Sequence, residues 1–446
     1  MNTAAEVGTV LLVHPGIYND FNPLAFPPWG ALSVASHLRA HDINTVVADL
    51  NGQDIYASMT ALLREHAPAV VGFTCKLGLA ARRFREAVEC VRRERGDDVR
   101  IVAGGPLVST YPDPLHPLWD SVDNLLLGDG ESALLTLLTD PEGANHSAHS
   151  EVDLNEVGWG MWWPELGDYV RPAEYWPNMN ARGMHVASAR GCTRRCTFCY
   201  LNTHVPGKRF RYVGAERLFD RLIDLRETFN TTGYYFVDDC FIDRGQHRLN
   251  DFIEVNRSHG NPFVYGCDVQ LPDLADPATL ERMHTSGFRC LYLGIEAASP
   301  AVRKSLGKGS VREPVETLVN RALDMGFLIR ASIGIGWPGE TLEEMKATVD
   351  LIGRVDRLAF DAYKFFPLPG TPLGESAYWA ARRDMALTKD QLLEDSYADY
   401  SEFNANYSGV PDAELEEVWG HMLDLEQSRL AAYAATPMFP PPPPAT

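Results

Sequence analysis

The chain has 446 residues, 40 Lys and Arg against 60 Asp and Glu, a formal net charge of −20 and 45% hydrophobic residues. This is the composition of a globular protein of two or three domains at roughly 150 residues each. So acidic a chain is repelled by phosphate backbones and anionic lipid, which excludes a general nucleic-acid binder or a membrane-surface protein. No apolar run approaches the roughly 18 residues of a transmembrane helix. Residues 1–7 lack the basic start of a signal peptide, and eight cysteines are too sparse for a disulfide scaffold. A reducing, cytoplasmic setting is therefore expected, and clustered cysteines become metal or catalytic candidates.

In chain order, short continuously apolar runs at residues 9–13, 45–50, 69–74, 100–103 and 124–127 alternate with helix-period stretches. Such runs suit strands buried on both faces, so residues 1–140 are expected to form a doubly wound parallel α/β sheet. Glycines and polar residues follow the runs: Gly16, Asn51, Thr74, Gly104, Gly105, Gly128 and Glu131. They lie at the carboxyl edge, where open sheets bind ligands. No G-x-G-x-x-G occurs, so a dinucleotide site is not indicated. Residues 141–183, rich in Pro, Gly, Asn and Trp, are expected to be a connector.

From residue 184 a second alternation begins, with strands expected at 185–189, 234–237, 263–267, 290–294, 328–335 and 359–366. Helices are expected between them, at 215–228, 244–258, 277–286, 311–325 and 342–354. Six repeats are too few for a closed eight-stranded barrel and suit a partial, TIM-like (β/α)6 barrel over residues 184–373, with its chemistry at the carboxyl ends of the strands. Residues 374–446 lose this rhythm. From 381 to 430 there are 12 acids and 4 basic residues, and 440–444 is a proline run. A small, acidic, helical appendage with a disordered tail is expected.

Directly after the first strand of this second series stands Cys192-Thr-Arg-Arg-Cys196-Thr-Phe-Cys199. Thiolates are the preferred ligands of iron–sulfur clusters. Three of them leave one iron of a 4Fe–4S cube open to a substrate. Zinc is the competing metal; a structural zinc site is closed by four ligands, and His204 is the nearby fourth candidate. From residue 190 to 211 there are six Arg or Lys and no acid. Among them, Arg194, Arg195, Lys208, Arg209 and Arg211 either steer an acidic electron donor or balance a bound anionic group. The remaining cysteines lie in or beside apolar runs and read first as small buried hydrophobes. Cys240 and Cys267 follow strand ends that face the site, where a thiol has a second use as a quencher or proton donor.

Cys-x3-Cys-x-aromatic-Cys after strand one of a partial barrel resembles the radical S-adenosylmethionine (SAM) superfamily. The resemblance implies that Cys192, Cys196 and Cys199 bind three irons, that SAM binds the fourth, and that Phe198 lies beside the adenine. Further stretches match in order. Asp238-Asp239 ends the second strand, where relatives contact the methionyl amine; the residue types alone suit a helix N-cap equally well. Gly294-Ile-Glu296 ends the fourth strand, near the ribose. Ser332, Gly334 and Gly336, before and within Gly-Trp-Pro-Gly-Glu-Thr, run along the adenine. The match covers about residues 184–373.

Residues 27–30 (Pro-Pro-Trp-Gly30), Gly104-Gly105-Pro106 and Gly128-Asp129-Gly130-Glu131 resemble the flavodoxin-like cobalamin-binding domain fused to many radical SAM enzymes. With Thr74, the resemblance places Gly30, Gly104, Gly105, Gly128 and Glu131 against cobalamin. There is no Asp-x-His-x-x-Gly, so no histidine ligand to cobalt is expected from this domain. The alternative is a domain kept as scaffold without cofactor.

The function expected from this resemblance is reductive cleavage of SAM to a 5′-deoxyadenosyl radical that takes hydrogen from a small-molecule, natural-product substrate, followed by cobalamin-dependent C-methylation, as in enzymes of antibiotic biosynthesis. The electron donor would be of flavodoxin or ferredoxin type. Two alternatives stay open: a cobalamin-independent dehydration, deoxygenation or rearrangement of a cationic substrate such as an aminosugar, and a non-enzymatic cluster- or cobalamin-dependent sensor. Asp268, Glu296 and Asp361, near strand ends, are the acid–base candidates, or else pair with neighbouring charges.

Overall fold

The computed structural model describes residues 7–16, 26–76, 79–140, 151–157, 164–171, 181–202, 210–376, 387–397 and 406–435. The tryptophans expected to pack in the connector (Trp159, Trp162, Trp163 and Trp176), His204, Lys208, Arg209 and the proline tail lie outside the described residues. The chain divides into two compact units. One comprises residues 1–168, 202–208 and 368–403, and the other residues 169–201, 209–367 and 404–446.

The first unit is a five-stranded parallel sheet: β1 (Val10–His14), β2 (Thr45–Asp49), β3 (Val70–Thr74), β4 (Arg100–Gly104) and β5 (Asn124–Leu125), in the order β2-β1-β3-β4-β5. That order is flavodoxin-like. It is alternated with α1 (Trp29–Arg39), α2 (Ile55–His66), α3 (Leu79–Arg95) and α4 (Gly130–Thr139). β1 is fully buried along its length, as its unbroken Val-Leu-Leu-Val requires. α2 starts where the Asp54 side chain accepts the Ala57 N–H at 2.7 Å, an N-cap that meets one of the helix's orphan donors. Phe84, Val88 and Val91 on one face of α3 join Leu11, Phe73 and Leu107 in the core.

The second unit is a six-stranded, all-parallel sheet: β6 (Gly183–Val186), β7 (Gly233–Phe236), β8 (Val264–Gln270), β9 (Phe288–Glu296), β10 (Leu328–Ile335) and β11 (Ala359–Lys364), in strict sequential order. Helices α5 (Ala215–Phe229), α6 (His247–Ser258), α7 (Pro277–Thr285), α8 (Val315–Asp324) and α9 (Leu342–Arg354) return the chain between them. This is the partial (β/α)6 barrel expected. Outward-facing aromatics fill the layer between sheet and helices: Phe236, Phe241, Phe252, Tyr265 and Phe288 pack mostly edge to face. The start of α9 is a capping box, with Thr341 and Glu344 each bonding the other's backbone N–H.

The two described helices of the C-terminal region belong to different units. α10 (Lys389–Tyr397) sits in the first, where Leu393 packs on its core. α11 (Asp412–Ala435) sits in the second, along edge strand β11 and α9, with Leu415, Val418 and Met422 buried. Glu426 of α11 accepts the Ala362 N–H at 2.6 Å, supplying an acceptor to an edge that pairs with no further strand among the described residues.

Candidate active site

The three-cysteine loop follows the short antiparallel pair Ala189–Arg190 and Arg211–Tyr212. It is docked on a second loop from beyond β9, since Thr197 N donates to Leu306 O at 2.9 Å and Thr197 Oγ1 to Ser305 O at 3.2 Å. Gly307 has φ +69°, and a Cβ there would meet Arg195 O at 2.6 Å. Only glycine allows that approach. All three cysteines are free thiols, Cys196 being the most buried. Burial raises the thiols of Cys196 and Cys199, the latter to about 12, while a hydrogen bond with Cys240 and then burial raise that of Cys192.

Two cations reach this loop. Arg194 donates to Asp273 at 2.6 Å, and Asp273 is itself fixed by the Gln270 N–H at 2.8 Å. Lys308 is the other, its side chain 8% exposed and its Nζ 2.6 Å from Glu296 Oε1. Burial works against the Lys308 charge, yet Glu296 and the Cys196 thiol hold its affinity for the proton above the ordinary value. Sequence reasoning missed Lys308. The visible signal was a cation flanked by two glycines, Gly307-Lys308-Gly309, a loop built for close approach.

Glu296 ends β9 at a register shift and takes a positive φ of 65°, a conformation costly for a non-glycine residue. Lys308, Ser332 (3.1 Å) and the Tyr363 hydroxyl all bond its carboxylate. Gly294 leaves room for this: a Cβ there would collide with Lys308 Nζ and lie 2.9 Å from Glu296 Oε1. Gly334 likewise leaves room for the Tyr363 and Trp337 rings. Phe198 packs on Trp337, ring centroids 5.1 Å apart, and under Lys308 at 5.7 Å. The structure thus brings Phe198, Gly294, Glu296, Ser332 and Gly334 together beside Cys196. Gly336 lies at the turn where its N–H, with that of Trp337, bonds Glu340. Burial lifts that carboxyl to about 7.

The two acids ending β7 separate. Asp238, expected at a methionyl amine, has both oxygens engaged by the protein: Ser188 N and Oγ at 2.6 Å, Ala189 N at 2.7 Å and Arg248 Nη2 at 2.5 Å. It pins the start of the cysteine loop. Asp239 is the exposed one and accepts from the Tyr200 hydroxyl at 3.0 Å.

Asp268 and Asp361 also lie on this sheet, Asp361 being the register partner of Ser332 on the neighbouring strand. Asp268 accepts from the Tyr235 hydroxyl at 2.8 Å. That ring lies across Gly266, where a Cβ would collide with it. Burial raises Asp268 to about 7 despite the hydrogen bond. Asp361 takes both guanidinium arms of Arg330, one at 2.9 Å, and also bonds Tyr292. Asp361 is paired with a charge, as one of the two readings anticipated, whereas Asp268 bonds a neutral hydroxyl instead.

In the first unit the structure gathers Gly30, Thr74 and Gly105: Thr74 Oγ1 lies 3.2 and 3.3 Å from where their Cβ atoms would stand. Gly105, at φ +93°, backs onto the Cys75 backbone at 2.9 Å. With Gly104 beside them they leave a length of bare main chain at the carboxyl edge. Gly128, also at positive φ, leads into α4. Glu131 is 1% exposed and accepts from Ser33 at 2.5 Å, tying α4 to α1 rather than facing outward. A buried His14–Asp49 pair at 2.9 Å links the ends of β1 and β2, a feature that no motif announced.

Among the described residues, no three His, Cys, Asp or Glu side chains converge on a single metal ion, and no helix is long and apolar enough to cross a membrane.

Residues 186–352 match the family described as the Radical SAM superfamily, and residues 23–138 match the B12 binding domain. The uncharacterized methyltransferase PH0819 of Pyrococcus horikoshii is 24% identical over 375 residues, 79% of this chain and 78% of its own. The radical SAM methyltransferase TsrM from Kitasatospora setae is similar in structure, with a TM-score of 0.63 at 20% identity over 82% of this chain and 75% of its own. The cobalamin-dependent radical SAM enzyme OxsB has a TM-score of 0.63 at 17% identity, over 94% of this chain and 62% of its own.

Proposed function

As the chain belongs to the radical SAM superfamily and carries a B12-binding domain, we propose that this enzyme methylates a carbon of a small molecule, using a 4Fe–4S cluster, SAM and cobalamin. The observation that carries the reading is the three-thiol loop held against Lys308 and Arg194. The donor set fits a cube: each of three sulfurs serves a different iron, so they need not converge on one ion, and the two cations offset the negative charge of thiolates and sulfide. The bare edge at Gly30, Gly104 and Gly105, in a sequence with no Asp-x-His-x-x-Gly, fits cobalamin held without a protein ligand to cobalt. Relatives and structural neighbours named as methyltransferases favour methylation over dehydration.

When bound, the cluster and SAM supply a hydrogen-abstracting radical and cobalamin supplies the methyl group. The chain's own residues do the rest. Cys192, Cys196 and Cys199 hold the irons. Phe198 and Trp337, whose ring Gly334 leaves room for, offer an apolar wall for the adenine, and Gly336 lets main chain come close. Asp239, exposed at the end of β7, is the acid available to a methionyl amine. Lys308 is the cation available to the carboxylate of SAM, and Glu296, Ser332 and Tyr363 fix its position. The buried lining around Trp337 and Ile335 excludes water and competing hydrogen donors.

The test is an anaerobic assay of reconstituted protein with SAM, methylcobalamin and a low-potential reductant. The reading requires 5′-deoxyadenosine beyond the level of Cys196→Ala; wild type no better than that variant sinks it. Corrinoid retained at one per chain, together with iron and sulfide, is expected. Iron and sulfide without corrinoid would move the reading to dehydration or rearrangement.

A further inference from the structure

The half-barrel carries a second polar row beside the residues gathered at Cys196. Burial alternates along β8, β9 and β10. Cys267, Val269, Leu291, Leu293, Ile329 and Ala331 are buried, while Asp268, Gln270, Tyr292, Gly294, Arg330 and Ser332 keep some exposure. With a period of two, the exposed set shares one face of the sheet. Register sorts that face into rows. Gly294, Ser332 and Asp361 stand side by side, and Ser332 bonds Glu296. Asp268, Tyr292 and Arg330 form the next row, two residues further from the carboxyl ends, or about 7 Å away.

Arg330 in this row is matched, since Asp361 takes its guanidinium on both oxygens. Asp268 has no such cation. Among the described residues its one hydrogen bond comes from the Tyr235 hydroxyl, to Oδ1 at 2.8 Å, and Oδ2 receives none. The Tyr235 ring is set for that bond. Tyr235 and Gly266 are register partners, and a Cβ on Gly266 would collide with the ring. The missing side chain lets the ring lie across β8 and its hydroxyl reach Asp268 two residues on. His185 braces the ring edge to face, with centroids 5.5 Å apart. A partly buried carboxylate with one oxygen open and no counter-charge is costly until a cation reaches it.

We propose that Asp268 anchors a protonated amine of the substrate and that Tyr235 is the residue that positions it; this names the substrate class, an organic ammonium, and rests on the half-barrel being the seat of the methylation. The ammonium brings the charge and the donors that the protein withholds from Oδ2. Arg330 and Asp361 offset each other, so the rest of the row faces a neutral polar part of the same molecule. An alcohol in place of the amine gives Asp268 a donor without a charge and binds less tightly.

Full-length protein loaded with iron, sulfide and SAM is titrated in mildly alkaline buffer with two matched pairs, phenethylamine against phenethyl alcohol and cyclohexylmethylamine against cyclohexylmethanol, and binding is followed by saturation-transfer nuclear magnetic resonance. Wild type is expected to bind the amine of each pair about tenfold more tightly than the alcohol. Asp268→Asn should bring that ratio near one with alcohol binding unchanged, and Tyr235→Phe should lower it severalfold at equal iron content. Wild type that prefers neither member of either pair, or an Asp268→Asn variant that keeps the wild-type ratio, overturns the proposal. If Asp268→Asn loads less iron than wild type, Tyr235→Phe decides, and a ratio equal to wild type overturns it. Formation of 5′-deoxyadenosine by wild type without amine preference overturns this inference alone; amine preference without 5′-deoxyadenosine overturns the radical reading and leaves the anchor standing.

Discussion

Asp238 and Arg248 meet at 2.5 Å with side chains 0% and 3% exposed. The carboxylate also takes the Ser188 and Ala189 N–H groups, so one ion pair joins the end of β7 to the root of the cysteine loop. Breaking one half of such a pair leaves the other charge buried and uncompensated. Asp238→Asn is expected to cost about 3–5 kcal/mol in urea denaturation and to lower iron uptake. Asp239→Asn, one residue on but exposed, is expected to cost about 0.5 kcal/mol or less. If Asp239 meets the methionyl amine, that variant weakens SAM binding about tenfold or more in equilibrium dialysis of iron-loaded protein.

Lys308 and Glu296 make a second buried pair, this one beside the thiols. Lys308→Met removes the charge that Glu296 faces, and a loss of about 3–5 kcal/mol is expected for the iron-free chain. The double variant Lys308→Met/Glu296→Gln should recover part of that stability, because no lone charge is left. Denaturation of wild type and the two variants in parallel checks this, and a double variant no more stable than Lys308→Met refutes it.

Asp268 gives a pH signature. Its carboxyl titrates near 7 in the fold against 3.8 when unperturbed, so between about pH 4 and 7 the unfolded chain has released a proton that the folded chain keeps. Stability therefore falls with rising pH across that window and levels above it. Asp268→Asn removes this contribution. The stability of the variant relative to wild type should grow from pH 4 to pH 7, by up to about 4 kcal/mol. Denaturation midpoints at several pH values measure it, and parallel curves for the two proteins would contradict it.

Met422 of α11 is completely buried. Met422→Ala opens a cavity under the helix and should cost about 2–5 kcal/mol. Exposed Leu423, its neighbour at 39%, should change stability by less than about 0.5 kcal/mol when cut to Ala. Thermal or urea denaturation separates the two.

Strand and helix placement was legible because parallel strands covered on both faces read as unbroken apolar runs, and residues 328–335 form β10 as the run predicts. The cysteine spacing was legible because it is local. Partnerships across the fold were not. Asp238 and Asp239 are the same residue type side by side, and only the turn after β7 decides which one is buried against Arg248. Lys308 lies twelve residues beyond Glu296 in a loop, and its approach depends on the register shift after Gly294. Glu131 looked like part of a ligand edge, but its bond to Ser33, 98 positions away, is a product of helix packing.

The covering of β11 by α11 has a consequence for biosynthesis. The last strand of the half-barrel is made some fifty residues before the helix that shields it, so a growing chain on the ribosome carries a bare sheet edge until Asp412–Ala435 has emerged. Variants shortened before that helix should then accumulate in inclusion bodies rather than as active fragments, and the helix acts as a built-in guard against strand exchange between nascent copies.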